Sequence, residues 1–338
     1  MSKNTLNKNL HKAKNAKKDE FYTQLSDIEK EMKHYKGHFK GRVVLCNCDD
    51  PRVSNFFHYF SYNFEKLRLK RLITTCYKNQ DMDLFSQNES EKAIYLKYEG
   101  DKNDNKVPDP EDIGIKQLEG DGDFRSEECM ELLKQADIVV TNPPFSLFRE
   151  YVAQLVKYNK KFVIIGNVNA ITYKECFKLI QDNQMWLGAS IHSGDREFGV
   201  PNDYPLNAAG FRVDEEGRKF IRVKGVRWFT NLDYKERHED LILYKPYNEE
   251  EYPRYDNYDA INVDKTKDIP MGYDGVMGVP ITFLDKYNPE QFEIIGLIAG
   301  NIRGLAGIPS KIGKDGPYIN GKLKYGRILI GTRKPLKS

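Results

Sequence analysis

Short apolar runs recur through the first half of the chain, and stretches with helical periodicity separate them. A continuous apolar run bounded by turn residues is typical of a strand that is buried on both faces. The alternation of such runs with helical patterns predicts an α/β fold built on a mostly parallel sheet. The runs are Val43–Leu45, Leu72–Ile73, Ile138–Val140 and Phe162–Ile165.

The first run leads into a helical pattern with an aromatic face that begins just after Pro51 and continues to Leu67. This pattern predicts a strand, a tight turn and a helix. In doubly wound sheets, ligands bind beyond the carboxyl ends of the strands. We therefore expect three separated groups of residues to meet at one edge of the sheet: Asp49 and Asp50, Asp123 and Phe124, and Asn142 to Phe145.

Beyond about residue 185 the pattern changes to shorter β-like segments separated by turn residues. Residues 219–230, interrupted by Gly225, predict a hairpin that adds to the far edge of the sheet, and 328–330 predict a late strand. The polar segment 78–119 is expected to be a hairpin or loop insertion. We therefore predict an N-terminal arm at 1–40, an α/β domain at 41–235 and a smaller, irregular α+β region at 236–338.

The most specific chemistry lies in Asn142-Pro143-Pro144-Phe145, between a predicted strand and a predicted helix. A double proline removes two amide donors and fixes two backbone angles, so the loop is stiff. In it, the side-chain oxygen of Asn142 and the carbonyl oxygen of Pro143 can accept both hydrogens of one amino group. Such a pair would localise the nitrogen lone pair and direct it at an electrophilic methyl group.

Phe145 would then offer a face on which a planar base can stack. The motif indicates methylation of an amino group. The alternative is an ordinary strand-to-helix turn, in which Asn142 caps the helix, the prolines stiffen the loop and Phe145 is a core aromatic.

Composition limits the other function classes. A chain of 338 residues can hold one large or two modest domains. It has no apolar run of membrane length and no apolar stretch after its lysine-rich start, so we expect a soluble cytoplasmic protein with no membrane partner. No cysteine has the spacing with histidines that a zinc site needs, so we expect reduced thiols and no metal. The cysteines are Cys46, Cys48, Cys76, Cys129 and Cys176.

The net charge is only +3, but both ends of the chain are basic. Residues 1–18 carry six lysines and no acid, and residues 303–338 carry nine Lys or Arg against the single Asp315. Basic tracts of this kind indicate a phosphate-backbone partner, although solvated tails would look the same. In the arm we assign phosphate contacts to Lys12, Lys14, Lys17 and Lys18.

Five stretches together resemble the EcoRI-type adenine-specific DNA methyltransferases, and the likeness covers most of the chain. They are 19–23, 46–57, 120–126, 142–145 and 255–263. The resemblance implies a Rossmann-like catalytic sheet that uses S-adenosylmethionine, followed by a target-recognition region. The implied reaction is methylation of the N6 amino group of a flipped-out adenine in a short double-stranded DNA sequence, as the modification part of a restriction-modification system.

The resemblance also implies residue roles. Asn142 to Phe145 match the catalytic motif, and the other matches concern the cofactor. Those that match cofactor-binding positions are Phe21, Tyr22 and Thr23 along the methionine part, Asp49 and Asp50 at the first strand, Asp123 by a hydrogen bond to adenine and Phe124 by stacking on it.

Trp228 and Phe229, on the predicted hairpin, are expected to give the second face of the pocket for the extruded base, although such a pair on a strand is more often core. The usual Gly-rich turn is replaced by residues 52–55, and Cys76-Tyr77 stand where relatives place the ribose-binding acid. Asp49 or Asp50 would then bind the ribose.

Related Asn-Pro-Pro-aromatic motifs also serve methylation of cytosine amino groups, RNA bases and protein glutamine amides. A DNA-binding protein without catalysis is the rival outside enzymes. Methylation at cytosine carbon 5 is disfavoured because no Pro-Cys pair is present. The family likeness makes GAATTC the first DNA word to test, allows for a cognate endonuclease, and is compatible with a monomer.

Overall fold

The computed structural model describes residues 21–48, 54–75, 93–101, 108, 113–192, 194–200, 210–300 and 302–333. Six residues to which the sequence assigned roles lie outside these ranges. They are Lys12, Lys14, Lys17, Lys18, Asp49 and Asp50.

The described residues form many short strands and six α-helices. The strands are β1 (Tyr22–Thr23), β2 (Val43–Cys46), β3 (Arg71–Thr75), β4 (Ile94–Tyr98), β5 (Ile113–Gln117), β6 (Ile138–Thr141), β7 (Lys161–Asn167), β8 (Trp186–Leu187), β9 (Asp195–Val200), β10 (Arg212–Val213), β11 (Lys219–Lys224), β12 (Val226–Thr230), β13 (Lys245–Pro246), β14 (Ile261–Asn262), β15 (Pro270–Met271), β16 (Met277–Pro280), β17 (Phe292–Ile298), β18 (Tyr318–Ile319), β19 (Lys322–Leu323) and β20 (Arg327–Thr332). The helices are α1 (Leu25–Met32), α2 (Asn55–Tyr62), α3 (Phe64–Leu67), α4 (Glu127–Gln135), α5 (Phe148–Lys157) and α6 (Lys174–Gln181).

The chain divides into two compact units. The first comprises Met1–Val168 and Ser193–Leu232, and the second comprises Asn169–His192 and Asp233–Ser338. Residues 169–192, which we expected within the α/β domain, thus belong to the second unit. The functional division at 40/41 and 235/236 stays a prediction.

Seven strands of the first unit lie side by side in the main sheet, in the order β5-β4-β3-β2-β6-β7-β12. Its centre is parallel, from β3 through β2 and β6 to β7, while β4, β5 and β12 are antiparallel. The four parallel strands are the four apolar runs of the sequence, and Val44, Val139 and Ile164 in them are fully buried. The prediction of an α/β fold is confirmed, but the sheet is mixed, because only its four central strands are parallel and three further pairings are antiparallel.

Helices cover both faces of this sheet. Trp228 and Phe229 are consecutive in β12, so their side chains point to opposite faces. Trp228 packs edge-on against Phe56 of α2, with ring centroids 6.2 Å apart, and Phe229 packs against Phe148 of α5 at 5.0 Å. Helices α2 and α5 therefore lie on opposite sides of the sheet.

The predicted hairpin at 219–230 is wrong, although the segment does form two strands. Strand β11 pairs with β9, whereas β12 pairs with β7 in the main sheet. The chain changes sheets at Gly225, whose φ of +69° lies in the left-handed region that favours glycine. The carbonyl of Gly225 accepts a 2.6 Å hydrogen bond from the amide of Val168, which anchors this crossing point.

A second, four-stranded sheet in the first unit has the order β1-β9-β11-β10 and is antiparallel throughout. It brings the start of the described chain onto residues far along the sequence, because Tyr22 pairs with Gly199 and Thr23 with Phe198. This pairing places the segment 21–23 where the loop after β6 can meet it.

Serine caps begin two helices of the first unit. The side-chain oxygen of Ser54 accepts from the amide of Phe57, and that of Ser126 accepts from the amide of Cys129. The single helix predicted from Pro51 to Leu67 is interrupted, since α2 ends at Tyr62 and α3 follows after Asn63.

The second unit contains a four-stranded sheet of order β14-β16-β20-β17 and two separate strand pairs, β13–β15 and β18–β19. Residues of this sheet and of neighbouring segments form a cluster of buried side chains: Tyr255, Tyr258, Ala260, Ile298, Ile319 and Leu329. Within the described part of the chain, no helix has the length and apolar character needed to cross a membrane.

Candidate active site

The loop after β6 carries the Asn-Pro-Pro-Phe motif at the carboxyl end of a buried parallel strand. Strand β6 ends at Thr141, a short 3-10 turn covers Phe145–Leu147, and α5 follows directly. The amide of Leu147 donates to the carbonyl of Pro144 at 2.9 Å, which closes the turn. Strand, stiff loop and helix thus follow one another as the sequence predicts.

The side chain of Asn142 is held from one side only. It is 5% exposed, and its amide nitrogen donates a 2.7 Å hydrogen bond to the main-chain carbonyl of Phe21. Its oxygen Oδ1 is buried and has no hydrogen-bond partner among the described residues. A helix cap would instead accept a bond through this oxygen, so the helix-cap alternative does not describe Asn142.

Phe21 also supports the aromatic residue of the motif. The ring of Phe145 is half-buried and meets Phe21 edge-on, with centroids 5.6 Å apart. On its other side Phe21 contacts Phe198 of β9, again at 5.6 Å. Phe21 and Phe198 are 7% and 2% exposed, so they form a fixed wall behind a ring that is partly open to solvent.

Asn47 ties together the ends of two parallel strands. It follows β2 directly, and its main-chain carbonyl accepts a hydrogen bond from the hydroxyl of Thr141 at the end of β6. Its side-chain oxygen accepts from the phenol of Tyr151 in α5. Burial raises the pKa of the Tyr151 phenol well above its ordinary value, so the phenol stays neutral and remains a donor.

Asp123 and Phe124 lie in the turn before α4. Arg125 binds the Asp123 carboxylate through Nε at 2.9 Å, through Nη2 at 2.6 Å and through its main-chain amide at 2.8 Å. Burial by itself would raise the pKa of Asp123, but these hydrogen bonds outweigh burial and lower it. Asp123 is therefore an oriented carboxylate at neutral pH.

Phe124 is anchored to α5 through its ring and its backbone. The ring meets Tyr151 edge-on at 5.0 Å, and the carbonyl accepts from the side-chain amide of Gln154 at 2.9 Å. Asn47 and Phe124 thus both contact Tyr151, and Thr141 is linked to Tyr151 through Asn47. Phe124, which the sequence assigns to the cofactor, is therefore connected through Tyr151 of α5 and Asn47 to Thr141, the residue before Asn142.

Segment 21–23 is fixed from a further side by α2. The side-chain amide of Asn55 donates a 2.7 Å hydrogen bond to the carbonyl of Thr23. Thr23 is 2% exposed, and its hydroxyl has no hydrogen-bond partner among the described residues. Thr23 Oγ1 and Asn142 Oδ1 are therefore two buried oxygens without a hydrogen-bond partner among the described residues.

The structure does not place Trp228 and Phe229 beside the motif as an open aromatic face. They are 1% and 0% exposed and pack on Phe56 and Phe148 in the two helix layers. Every position of β12 is buried, so both of its faces lie in the core. They occupy the core position that a Trp-Phe pair on a strand more often takes.

Sequence reasoning did not single out Asn47, Asn55, Tyr151 or Phe198. Asn47 and Asn55 lie within the 46–57 stretch of the family likeness, and that position was the available signal. Tyr151 and Phe198 carry no signal beyond their apolar settings, since their contacts join residues about 30 to 180 positions apart in the chain. Within the described ranges, no group of three or more His, Cys, Asp or Glu side chains is arranged to hold a metal ion.

Comparison with curated proteins gives full-length relatives. M.EcoRI of Escherichia coli, named a type II methyltransferase, is 52% identical over 336 residues, which cover 99% of each chain. Two further type II methyltransferases are 38% identical: M.MgeORF184P of Mycoplasma genitalium, covering 95% of this chain and 97% of its own, and M.MpnI of Mycoplasma pneumoniae, covering 96% and 98%. No solved structure matches the chain.

The family model described as adenine-specific methyltransferase EcoRI matches residues 9–333. This range includes every described residue of the site. Together with the strand, loop and helix setting of Asn142, the match shows that the chain belongs to the EcoRI family of adenine-specific methyltransferases.

Proposed function

We propose that this adenine-specific methyltransferase transfers a methyl group from S-adenosylmethionine to N6 of an adenine that is rotated out of a short double-stranded DNA sequence. The observation that carries the proposal is the state of Asn142. Its amide nitrogen is bound to the Phe21 carbonyl, while Oδ1 is buried and has no partner among the described residues. A buried acceptor without a hydrogen bond is unusual. The amino group of a bound adenine would supply the missing donor.

The chemistry follows from the two acceptors in the loop. The Oδ1 atom of Asn142 and the carbonyl oxygen of Pro143 accept the two hydrogens of the adenine amino group. Holding both hydrogens concentrates the lone pair on nitrogen and fixes its direction. The ring of Phe145, supported by Phe21, stacks on the base, which offsets the few kcal/mol that base extrusion costs.

S-Adenosylmethionine, when bound, would supply the electrophilic methyl group. The residues that fit it are segment 21–23 and the turn at Asp123. Arg125 uses three of the roughly four lone-pair positions of the Asp123 carboxylate. One position is left to accept from an adenine amino group, and the buried hydroxyl of Thr23 offers a further polar contact.

In this proposal the first unit is a Rossmann-like methyltransferase domain. Support comes from its parallel central strands, the helices on both faces, and the site at the carboxyl ends of β2 and β6. The second unit then contains the irregular α+β target-recognition region. The basic arm, with Lys12, Lys14, Lys17 and Lys18, contacts phosphates, and Asp49 or Asp50 binds the ribose.

The test is incubation of the purified protein with unmethylated genomic DNA and S-adenosylmethionine, followed by single-molecule sequencing that maps modified bases. Methyladenine at one short motif is the expected result, and a GAATTC duplex is the first defined substrate. Cofactor binding without any DNA modification would instead favour an RNA or protein substrate. Absence of both would favour a DNA-binding protein without catalysis.

The type II names of the relatives also motivate a restriction-modification role, with a cognate endonuclease as a separate partner. We further propose a cytoplasmic monomer, because methyl transfer to one strand needs no symmetric dimer. Light scattering of the protein alone and on one duplex tests the monomer directly.

A further inference from the structure

The segment 302–326 of the second unit, here called the basic ribbon segment, concentrates exposed positive charge. It contains five basic side chains, all exposed, against the one carboxylate of Asp315, which is half-buried. The five are Arg303, Lys311, Lys314, Lys322 and Lys324. Arg303 is 92% exposed on its side chain and lies 3.7 Å from Asp315. The segment therefore carries a net charge of +4, although Lys311 lies 4.0 Å from the Asp259 carboxylate outside it.

The tip of the segment is a tight two-stranded ribbon. Strands β18 and β19 pair around Asn320 and Gly321, whose φ angles of +52° and +72° are those of a two-residue hairpin turn. Lys322 and Lys324 are two residues apart after the turn, so they project to the same side. Neither forms an ion pair within the described part of the chain.

The opposite side of the ribbon rests on the unit. Leu323 lies between the two lysines in sequence, and its side chain covers Gly300 and Gly316, where added Cβ atoms would lie 2.8 Å and 2.3 Å from it. Leu323, which is still half exposed, therefore contacts the unit from the side of the ribbon opposite the two lysines. The side with the lysines is presented in a fixed direction.

The backbone of the segment is held by residues 255–258, of which Asp256 is exposed and the other three are buried. The carboxylate of Asp256 accepts from the amides of Asn320 and Gly321 at 3.1 and 2.7 Å, and so grips the turn itself. The side-chain amide of Asn257 donates to the carbonyls of Lys314 and Gly316 at 2.8 and 2.7 Å.

Further bonds complete the hold. The side-chain oxygen of Asn257 accepts from the amide of Tyr318 at 3.2 Å, and the Tyr258 phenol donates to the carbonyl of Asp315 at 3.0 Å. Asn257 and Tyr258 are 0% and 1% exposed, so their hydrogen bonds are shielded from water and fix the backbone of the segment. Residues 255–258, here called the scaffold, belong to the 255–263 stretch that resembles the family. None of the active-site contacts described above involves them.

We propose that the basic ribbon segment is the surface through which the second unit contacts the backbone of double-stranded DNA, with Lys322 and Lys324 as the leading phosphate contacts. A two-stranded ribbon fits the major groove, and flanking lysines neutralise phosphates. Because the scaffold fixes the segment before any partner arrives, binding loses little conformational freedom. This inference rests on the proposed function, since it takes duplex DNA as the substrate.

The test compares two double variants with the same charge change and the same spacing. K322A/K324A removes the ribbon lysines, and K265A/K267A removes two exposed lysines elsewhere in the second unit. Affinity for a duplex that the wild type methylates, and for an unrelated duplex, is measured over a series of salt concentrations. S-Adenosylmethionine affinity and the melting temperature are measured alongside.

We expect K322A/K324A to weaken binding to both duplexes and to make the slope of log affinity against log salt shallower by about two, one for each lost phosphate contact. The KM for DNA should rise while kcat at saturating DNA, cofactor affinity and melting temperature stay unchanged. K265A/K267A should match the wild type.

Equal behaviour of the two double variants would overturn the inference, whether both are unchanged or both are weakened. The proposed function would survive that result, because the wild type would still methylate DNA. A wild type that neither binds nor methylates duplex DNA would overturn both.

Discussion

The side-chain amide of Asn142 donates a 2.7 Å hydrogen bond to the main-chain carbonyl of Phe21, 121 residues earlier in the chain. This bond decides which way the amide faces, because a carbonyl can only accept. Oδ1 is thereby turned away from Phe21 as an acceptor. Since the partner is a backbone atom, no substitution of the Phe21 side chain removes it directly.

Replacing Asn142 should separate chemistry from cofactor binding. We expect Asn142→Ala to lower kcat by about a hundredfold to a thousandfold, the usual cost of losing one preorganised contact to the reacting group. The Kd for S-adenosylmethionine should change little. Asn142→Asp keeps acceptor oxygens but loses the donor to Phe21, so it should also be strongly impaired. Equal loss of kcat and of cofactor affinity in Asn142→Ala would contradict the proposed role.

The support that Phe21 and Phe198 give to Phe145 can be tested with two phenylalanines of the β1-β9-β11-β10 sheet. Phe198→Leu removes the support of Phe21, while Phe220→Leu alters a residue of similar burial that pairs directly with Gly199 and stacks under Arg212 at 4.3 Å. Both changes should cost about 1–2 kcal/mol of stability, measured by urea unfolding. We expect only Phe198→Leu to lower kcat, by about tenfold, because a small displacement of a stacking ring is costly. A similar loss in Phe220→Leu would show a general effect of the sheet.

Close packing of α5 on the sheet depends on a glycine. A Cβ atom on Gly166 of β7 would lie 2.4 Å from Cε2 of Phe148, the first residue of α5. We expect Gly166→Ala to destabilise the protein by about 1–3 kcal/mol through overpacking. Gly37→Ala is the matched control, since nothing lies within 4 Å of that position.

A second substitution makes this test sharper. Adding Phe148→Leu to Gly166→Ala should recover part of the lost stability, because the smaller side chain leaves room for the methyl group. Strictly additive losses in the double variant would argue against a direct clash.

The lowered pKa of Asp123 predicts a pH-dependent contribution to stability. A carboxyl whose pKa is lower in the folded state stabilises the fold above its ordinary pKa of 3.8, and this contribution is lost as pH falls through the lowered folded value. The difference in unfolding free energy between wild type and Asp123→Asn should therefore be constant near neutral pH and shrink below about pH 3.8. Urea unfolding without cofactor or DNA measures it.

Glu131→Gln provides the control for this pH series. Glu131 pairs with Lys134 on the exposed side of α4, and such exposed pairs contribute little. A pH-independent difference between wild type and Asp123→Asn would contradict the assignment of Arg125 as the stabilising partner.

The parts of the fold that sequence reasoning predicted are those with local signals. Val43–Leu45 and Ile138–Val140 were recognisable as strands because both of their faces are apolar, and Asn142 because two prolines follow it. The Asn-Pro-Pro-Phe motif and the apolar run before it therefore sufficed to predict the strand and the loop that carry Asn142. Residues whose role depends on a distant partner gave no such signal.

Trp228 and Phe229 illustrate the limit. Their strand looks like half of a hairpin, and only the change of sheet at Gly225 moves it into the main sheet beside β7. For the same reason the sequence did not indicate the role of Asn47, whose partners are 94 to 104 residues away. Nor did it indicate the role of Asp256, whose partners are 62 to 65 residues away. Hydrogen bonds of this kind follow from tertiary packing and leave no periodic trace in the sequence.

The pairing of β1 with β9 also has a consequence for the order of assembly. Segment 21–23 is made early in synthesis, but its strand partner at Asp195–Val200 is made much later. Contacts that close long loops form late, because the loop entropy is lost before the contacts repay it. Residue 200 of the 338 must therefore have been made before β9 can fix segment 21–23, to which the Asn142 side chain is bonded.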